Sequence, residues 1–199
     1  MLDAGCGTGE NALHVASLGL PVLGVDVAET ALEIARAKAD DRGIEAQFAA
    51  ADAFHLERLG RRFDTVLDCG LFHTFDGGER PGYVASLASV TEHGGTLYVL
   101  CFSDDGPGTG PHPITQEELR AAFSPSQGWN VAAIEPDRVQ TRYHDDGAPA
   151  WFAAIKRIWR PGNTGVREHG RPGTRASRNT GQGTARVLPG RDRAVRLAP

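Results

Sequence analysis

The amino-acid sequence predicts an α/β fold: a doubly wound, mostly parallel sheet of seven strands with one antiparallel member near its edge. Three observations carry that expectation. Short apolar runs alternate with helix-like segments through the first hundred residues, as in βα units whose crossover helices cover both faces of a parallel sheet. Acids fall where the strands end, at Asp3, Asp26, Asp52 and Asp68. Gly5, Gly7 and Gly9 follow the first strand at once, and glycine lets backbone turn tightly and lie against a ligand.

Each element has its own reason. Only Met1 and Leu2 precede Asp3, so the first strand reads as truncated, Met1 as a misassigned start, and a further segment is expected upstream. Residues 10–18 read as a helix closed by Gly19, and residues 21–26 as a short apolar strand. The clearest helix spans 28–42: Leu32, Ala35 and Ala39 share a face, and Gly43 follows its end. A third strand over 44–50 leads past Asp52 into a short helical piece around 55–59. The fourth strand spans 63–68. A loop over 69–78 precedes a helix over 79–91, where Tyr83, Leu87 and Val90 fall on one side. His93-Gly94-Gly95 is expected to turn the chain into a fifth strand over 96–102. Beyond a Gly/Pro/Asp-rich loop, Thr115 and Glu118 have the spacing of a capping box. The last two strands, 129–135 and 150–158, have no convincing helix between them, and strands so joined pair antiparallel most easily.

Composition divides the chain in two. Residues 161–199 hold eight Arg against Glu168 and Asp192, a net charge of +6, which leaves −10 on the first 160 residues. No aromatic residue follows Trp159. We therefore expect one ordered domain over 1–160 and a disordered basic Gly/Arg-rich tail over 161–199, too poor in apolar surface to offset chain entropy. A frameshift in a GC-rich coding sequence would also produce such a tail. Nucleic acid is not an expected partner, because the tail lacks interleaved aromatics and the domain is acidic. Cys6, Cys69 and Cys101 are single and widely spaced, which fits neither a zinc knuckle nor a disulfide framework and suits the cytoplasm. No apolar run approaches the roughly 18–20 residues of a membrane span.

In open α/β sheets ligands bind beyond the carboxyl ends of the strands, where the four acids gather beside the glycine turn. A dinucleotide fingerprint needs a further glycine where this chain has Glu10, and several carboxylates would repel a pyrophosphate. They suit a ligand with hydroxyls and positive charge.

The ordered series LDAGCGTGE, VLGVD, AADAF and HGGTLYVL resembles the class I S-adenosylmethionine-dependent methyltransferases over about residues 2–158. The resemblance implies a Rossmann-like fold with S-adenosyl-L-methionine as cofactor. It implies that Asp3, Gly5, Cys6 and Gly7 lie against the methionine moiety, and that Asp26 takes the ribose hydroxyls with Val27 beside the adenine. Asp52 and the Ala53 backbone would contact the adenine, and Asp68 with Cys69 would stand where the fourth strand opens toward the methyl group. Helices ahead of the first strand usually close the cleft in this family. The finer combination of GTGENAL, DCGLFHTF and PITQEELRAAF resembles small bacterial methyltransferases of lipophilic quinones and hydroxyquinolines, and more distantly thiopurine-type enzymes.

On the acceptor side, His73 is the candidate general base. Leu71, Phe72 and Phe75 are expected to form an apolar wall, and His112 is a further pocket candidate. Asp104 and Asp105 read as a solvated pair, with no metal site expected. The sequence thus points to methyl transfer onto a small lipophilic or aromatic acceptor through an O, S or N nucleophile. The alternatives are an inactive or merely cofactor-binding chain and, disfavoured by Glu10, an NAD-dependent oxidoreductase.

Overall fold

The computed structural model describes residues 1–105, 112–141 and 144–159. The first half alternates as expected: β1 (Leu2–Ala4), α1 (Glu10–Ser17), β2 (Leu23–Asp26), α2 (Glu29–Arg42), β3 (Gln47–Ala50) and β4 (Phe63–Cys69). Then come α3 (Arg80–Val90), β5 (Thr91–Phe102), α4 (Gln116–Ala122), β6 (Trp129–Thr141) and β7 (His144–Arg157). All seven strands form one sheet, in the order β3-β2-β1-β4-β5-β7-β6. Strand β1 is central and pairs parallel on both sides, Leu2 with Leu23 of β2 and with Val66 of β4. The chain first winds outward from β1 to β3 and then crosses back to β4, so the strand order reverses beside β1. That switch point is where open α/β sheets leave a crevice. The antiparallel member is β7, which runs against both β5 and β6.

Helix ends follow the sequence signals. Gly43 closes α2 in the left-handed region at φ 61°, with its amide and that of Ile44 bonded back to Asp40 and Ala39. Thr115 and Glu118 complete both halves of the capping box at α4. Leu32, Ala35 and Ala39 of α2 are buried, as are Tyr83, Leu87 and Val90 of α3. The latter pack into a core with Leu2, Val66, Leu97 and Val99 from the sheet. Each such side chain contributes about 1.5–3 kcal/mol by leaving water.

Some boundaries differ from expectation. Strand β5 begins at Thr91, because the 93–95 segment is a bulge within the strand rather than a turn before it. Phe63 pairs with Thr91 but Thr65 with Thr96, and Gly94 sits at φ 85° in the excess backbone. The piece around 55–59 is a 3-10 turn over Ala53–Leu59, interrupted at His55. Strands β6 and β7 are longer than expected because they form an extended hairpin ladder on each other. Pro136 is tolerated there because β6 is an edge strand and needs no donor on its outer side. Tyr143, the segment 106–111 and the tail 161–199 lie outside the described residues. Among the described residues no helix is long and apolar enough to cross a membrane.

Candidate active site

The glycine turn is stapled to the end of β2. The amides of Gly5 and Cys6 both donate to the Val25 carbonyl, at 2.8 and 2.9 Å. The Gly7 amide donates to Oδ2 of Asp26 at 2.8 Å, and the Ala28 amide to Oδ1 at 2.9 Å. The glycines serve different ends. Gly5 has φ 72°, and a Cβ there would lie 2.8 Å from Cδ2 of Leu71, so this position is filled by the chain itself. Gly7 has φ 52°, and a Cβ there would meet nothing within 4 Å, so its free face looks into open space. A Cβ on Gly9 would lie 2.8 Å from Cβ of Ala35 and 2.9 Å from the Phe48 ring. Glu10, in place of the dinucleotide glycine, clamps α1 to α2 through Lys38 at 2.8 Å and Arg42 at 2.9 Å. Those hydrogen bonds hold its carboxyl down to about 2.

The four acids sit at the strand ends but do unlike things. Asp3 is 1% exposed and neither carboxylate oxygen has a hydrogen-bond partner. Burial, reinforced by the nearby charges of Asp68 and Asp26, raises its carboxyl to about 7, although the Ala12 amide pulls the other way from beyond bonding geometry. A buried, unpartnered polar group calls for an explanation, and its position under the turn marks it as a candidate for a cationic ligand. Asp68 is fully buried and saturated: the Tyr83 hydroxyl donates to Oδ2 at 2.7 Å, and the Leu71 and Phe72 amides to Oδ1 at 2.9 and 3.1 Å. Burial raises its carboxyl to about 6 despite these bonds. Its carboxylate turns inward rather than toward open space. Asp26 is half-buried, and Asp52 is exposed with Oδ1 accepting from the Phe54 amide at 2.9 Å.

A cleft of about 300 Å³ opens over these strand ends. Its lining includes Asp26 and Val27 at the end of β2, Asp52, Ala53 and Phe54 after β3, and Phe75, with Gly5 and Leu71 after β1 and β4 forming what we call its inner end. Phe54 and Phe75 meet edge to face at 4.8 Å, and Phe75 rests 4.8 Å from Tyr83 behind it. Leu71 and Phe75, expected in an acceptor wall, therefore share the cleft of Asp26 and Asp52. Phe72 does not. It is fully buried, packed 5.3 Å from Phe123, because the 3-10 turn Phe72–Thr74 rotates it into the core; its expected place in the pocket is corrected. Phe54 and Thr74 escaped the sequence reading, although Phe54 directly follows Ala53 in AADAF.

His73 is also buried. Its Nδ1 accepts from the Phe102 amide at 3.2 Å and its ring stacks on Phe102 at 4.2 Å. Burial, aided by Arg80 and His112, lowers it to about 4, so the ring is neutral at pH 7, with Nδ1 accepting from Phe102 and the proton on Nε2. His112 is exposed and stands near enough for its charge to reach His73. Burial pushes the Cys6 and Cys69 thiols up to about 12, away from nucleophilic character. Among the described residues no His, Cys, Asp or Glu side chains cluster to hold a metal ion. A larger groove, about 640 Å³, lies at the opposite ends of β2 and β3 between Arg36, Asp40, Glu45 and Arg61. None of the site acids reaches it, so size alone does not locate the chemistry.

Fold and cleft together define an α/β protein with a mostly apolar cleft at its switch point, lined by two acids and two aromatic rings. Comparison with known proteins agrees. Residues 1–95 match the family described as Methyltransferase domain. The chain is 35% identical over 155 residues to the 2-heptyl-1-hydroxyquinolin-4(1H)-one methyltransferase of Mycobacteroides abscessus, covering 74% of this chain and 67% of that protein. It is 28% identical over 126 residues to a probable thiol methyltransferase 2 of Arabidopsis thaliana, covering 62% and 56%. A solved chain from work on conversion of a disulfide bond into a thioacetal group during echinomycin biosynthesis superposes with TM-score 0.70 at 35% identity, covering 79% and 75%. The fold is also that of magnesium protoporphyrin IX methyltransferase from Synechocystis with bound S-adenosylhomocysteine, at TM-score 0.63 and 22% identity over 78% and 73%. The chain belongs to the class I S-adenosylmethionine-dependent methyltransferases. It is an enzyme of that family, and S-adenosylmethionine is its cofactor.

Proposed function

We propose that the protein methylates a small, lipophilic aromatic acceptor whose O, N or S nucleophile ionises without help from the enzyme. The observation that carries this reading is the pairing of a mostly apolar cleft with a buried His73 whose Nδ1 is already taken by the Phe102 amide. When bound, S-adenosylmethionine supplies a methyl group on a sulfonium, open to in-line attack.

In this reading Asp26 accepts the ribose hydroxyls with the lone pairs that Gly7 and Ala28 leave free. Val27, 80% exposed at the cleft margin, and the rings of Phe54 and Phe75 sandwich the base. Asp52 and Ala53 meet its edge. Gly7 offers open backbone to the amino-acid half, and the orphaned carboxylate of Asp3 lies below to complement its ammonium. The buried acid, the open glycine and the hydroxyl acceptors all fit the cofactor. Cys6 and Cys69 supply packing near it, and Asp68 acts through the loop it holds.

The acceptor side is read from what the residues cannot do. His73 is neutral and fixed as an Nε2–H donor, and Cys69 stays protonated. Catalysis then rests on alignment of an already anionic or lone-pair-bearing nucleophile, which favours hydroxyquinolines, acidic phenols and thiols over aliphatic alcohols. The names of the hydroxyquinolinone and thiol methyltransferase relatives support the same classes. We place the working unit in residues 1–160 and give the 161–199 tail no part in chemistry.

The test is formation of S-adenosylhomocysteine from S-adenosylmethionine with a panel of hydroxyquinolones, phenols of graded acidity, thiols and aliphatic alcohols. Turnover confined to the acidic acceptors is expected. Preference for the alcohols would overturn the proposal. Binding of S-adenosylhomocysteine with no turnover on any acceptor would leave the second reading, a cofactor-binding protein without catalysis.

A further inference from the structure

Tyr83 lies on α3, away from the glycine turn in sequence, yet it touches both halves of the cleft's support. Its hydroxyl donates to the buried Asp68 at 2.7 Å. The other oxygen of that carboxylate holds the amides of Leu71 and Phe72, so one acid ties helix α3 to the loop after β4. The Thr74 hydroxyl closes the same loop by donating to the Leu71 carbonyl at 2.6 Å. Leu71 in turn rests on Gly5, at a distance that a single Cβ would make impossible. The Tyr83 ring meanwhile backs the cleft wall, 4.8 Å from Phe75 and 6.5 Å from Phe54.

We propose that Tyr83 is a positioning residue for the cofactor's amino-acid half: through Asp68 it sets how closely Leu71 sits over Gly5. The inference rests on the cofactor placement proposed above. Its logic is a separation of duties within one side chain. The ring supports the adenine wall by packing, and the hydroxyl fixes the inner end of the cleft by a hydrogen bond. Three donors on one buried carboxylate make a rigid joint, because removing any of them leaves a desolvated oxygen short of partners. Loosening the joint frees Leu71 to move against the turn, where the amino-acid half must pass, and leaves Phe54 and Phe75 backed as before.

The experiment compares two probes on the full chain. Adenosine reports the wall alone, and S-adenosylhomocysteine reports the wall plus the inner end. Tyr83→Phe, which keeps the ring, should weaken S-adenosylhomocysteine about tenfold and change adenosine less than twofold by titration calorimetry. Leu71→Ala should show the same selective loss. The double variant should lose no more than the worse single variant, since both substitutions act on one contact. Equal loss for both probes would mean a general structural effect and would overturn the proposal, as would unchanged S-adenosylhomocysteine binding or fully additive losses. If the unsubstituted protein bound neither probe, the cofactor placement itself would fall and this inference with it. Binding by the unsubstituted protein with no selective loss in Tyr83→Phe would remove only the role of Tyr83.

Discussion

The Gly7 amide and the Asp26 carboxylate are joined by a 2.8 Å hydrogen bond, so the acid that lines the cleft also holds the glycine turn. A second bond from the Ala28 amide ties the same carboxylate to the start of α2. Asp26→Ala should therefore damage stability and binding together. The part-buried Gly7 amide loses its acceptor, a cost of about 1–3 kcal/mol, and calorimetry should show S-adenosylhomocysteine weakened more than tenfold. Asp26→Asn keeps one acceptor oxygen and should fall between. Unchanged affinity in the alanine variant would refute the placement of the ribose at Asp26.

The neighbouring glycines separate folding from binding. Gly5→Ala combines a left-handed backbone with a clash on Leu71 and should lower the melting temperature sharply. Gly7→Ala meets no neighbour and carries only the left-handed backbone cost of about 1–2 kcal/mol. It should melt nearer the parent protein yet bind S-adenosylhomocysteine poorly. Equal melting temperatures for the two variants would contradict the contact between Gly5 and Leu71.

Asp3 makes stability depend on pH in a direction opposite to most carboxylates. Its folded-state value, about 7, lies above the ordinary 3.8, so its contribution is fully present below about 4 and is lost as pH rises through 7. The span corresponds to at most about 4 kcal/mol. His73, lowered to about 4 by burial, works the other way, losing its contribution as pH falls from 6.5. The comparison that isolates Asp3 is therefore with Asp3→Asn. The variant should gain in melting temperature relative to the parent protein as pH rises from 5 to 8, and a constant difference would show that the acid does not titrate in that range.

His73→Asn tests whether the imidazole is a brace or a base. Asparagine can offer an acceptor to the Phe102 amide, whereas His73→Ala leaves that amide without one, a loss of about 1–3 kcal/mol. With an acidic acceptor, the pH–rate profile of His73→Asn should keep the shape of the parent profile between pH 6 and 9. Disappearance of an inflection in that range would restore His73 as a base.

The acids at strand ends were legible because a strand's direction and its terminal residue are local properties. Asp3, Asp26, Asp52 and Asp68 all stand near the expected sheet edge. What they do there was not legible. Asp68 is consumed by Tyr83 and the loop, a partnership set by the docking of α3 rather than by sequence spacing. Leu71 and Phe72 are adjacent, yet one lines the cleft and the other enters the core. A single 3-10 turn decides between them, and its phase is not written in side-chain type. The bulge at Gly94 escaped for a similar reason, since a glycine pair between helix and strand reads equally well as a turn.

Gly9, Ala35 and Phe48 meet where the end of the glycine turn, α2 and β3 converge. That meeting sets a volume limit that descent must respect. A relative that keeps this backbone can give residue 9 a side chain only where residues 35 and 48 have both shrunk or shifted. Aligned relatives with a residue other than glycine at position 9 should therefore differ at positions 35 and 48 as well. The fold would then leave a record of this joint in the covariation of three positions far apart in sequence.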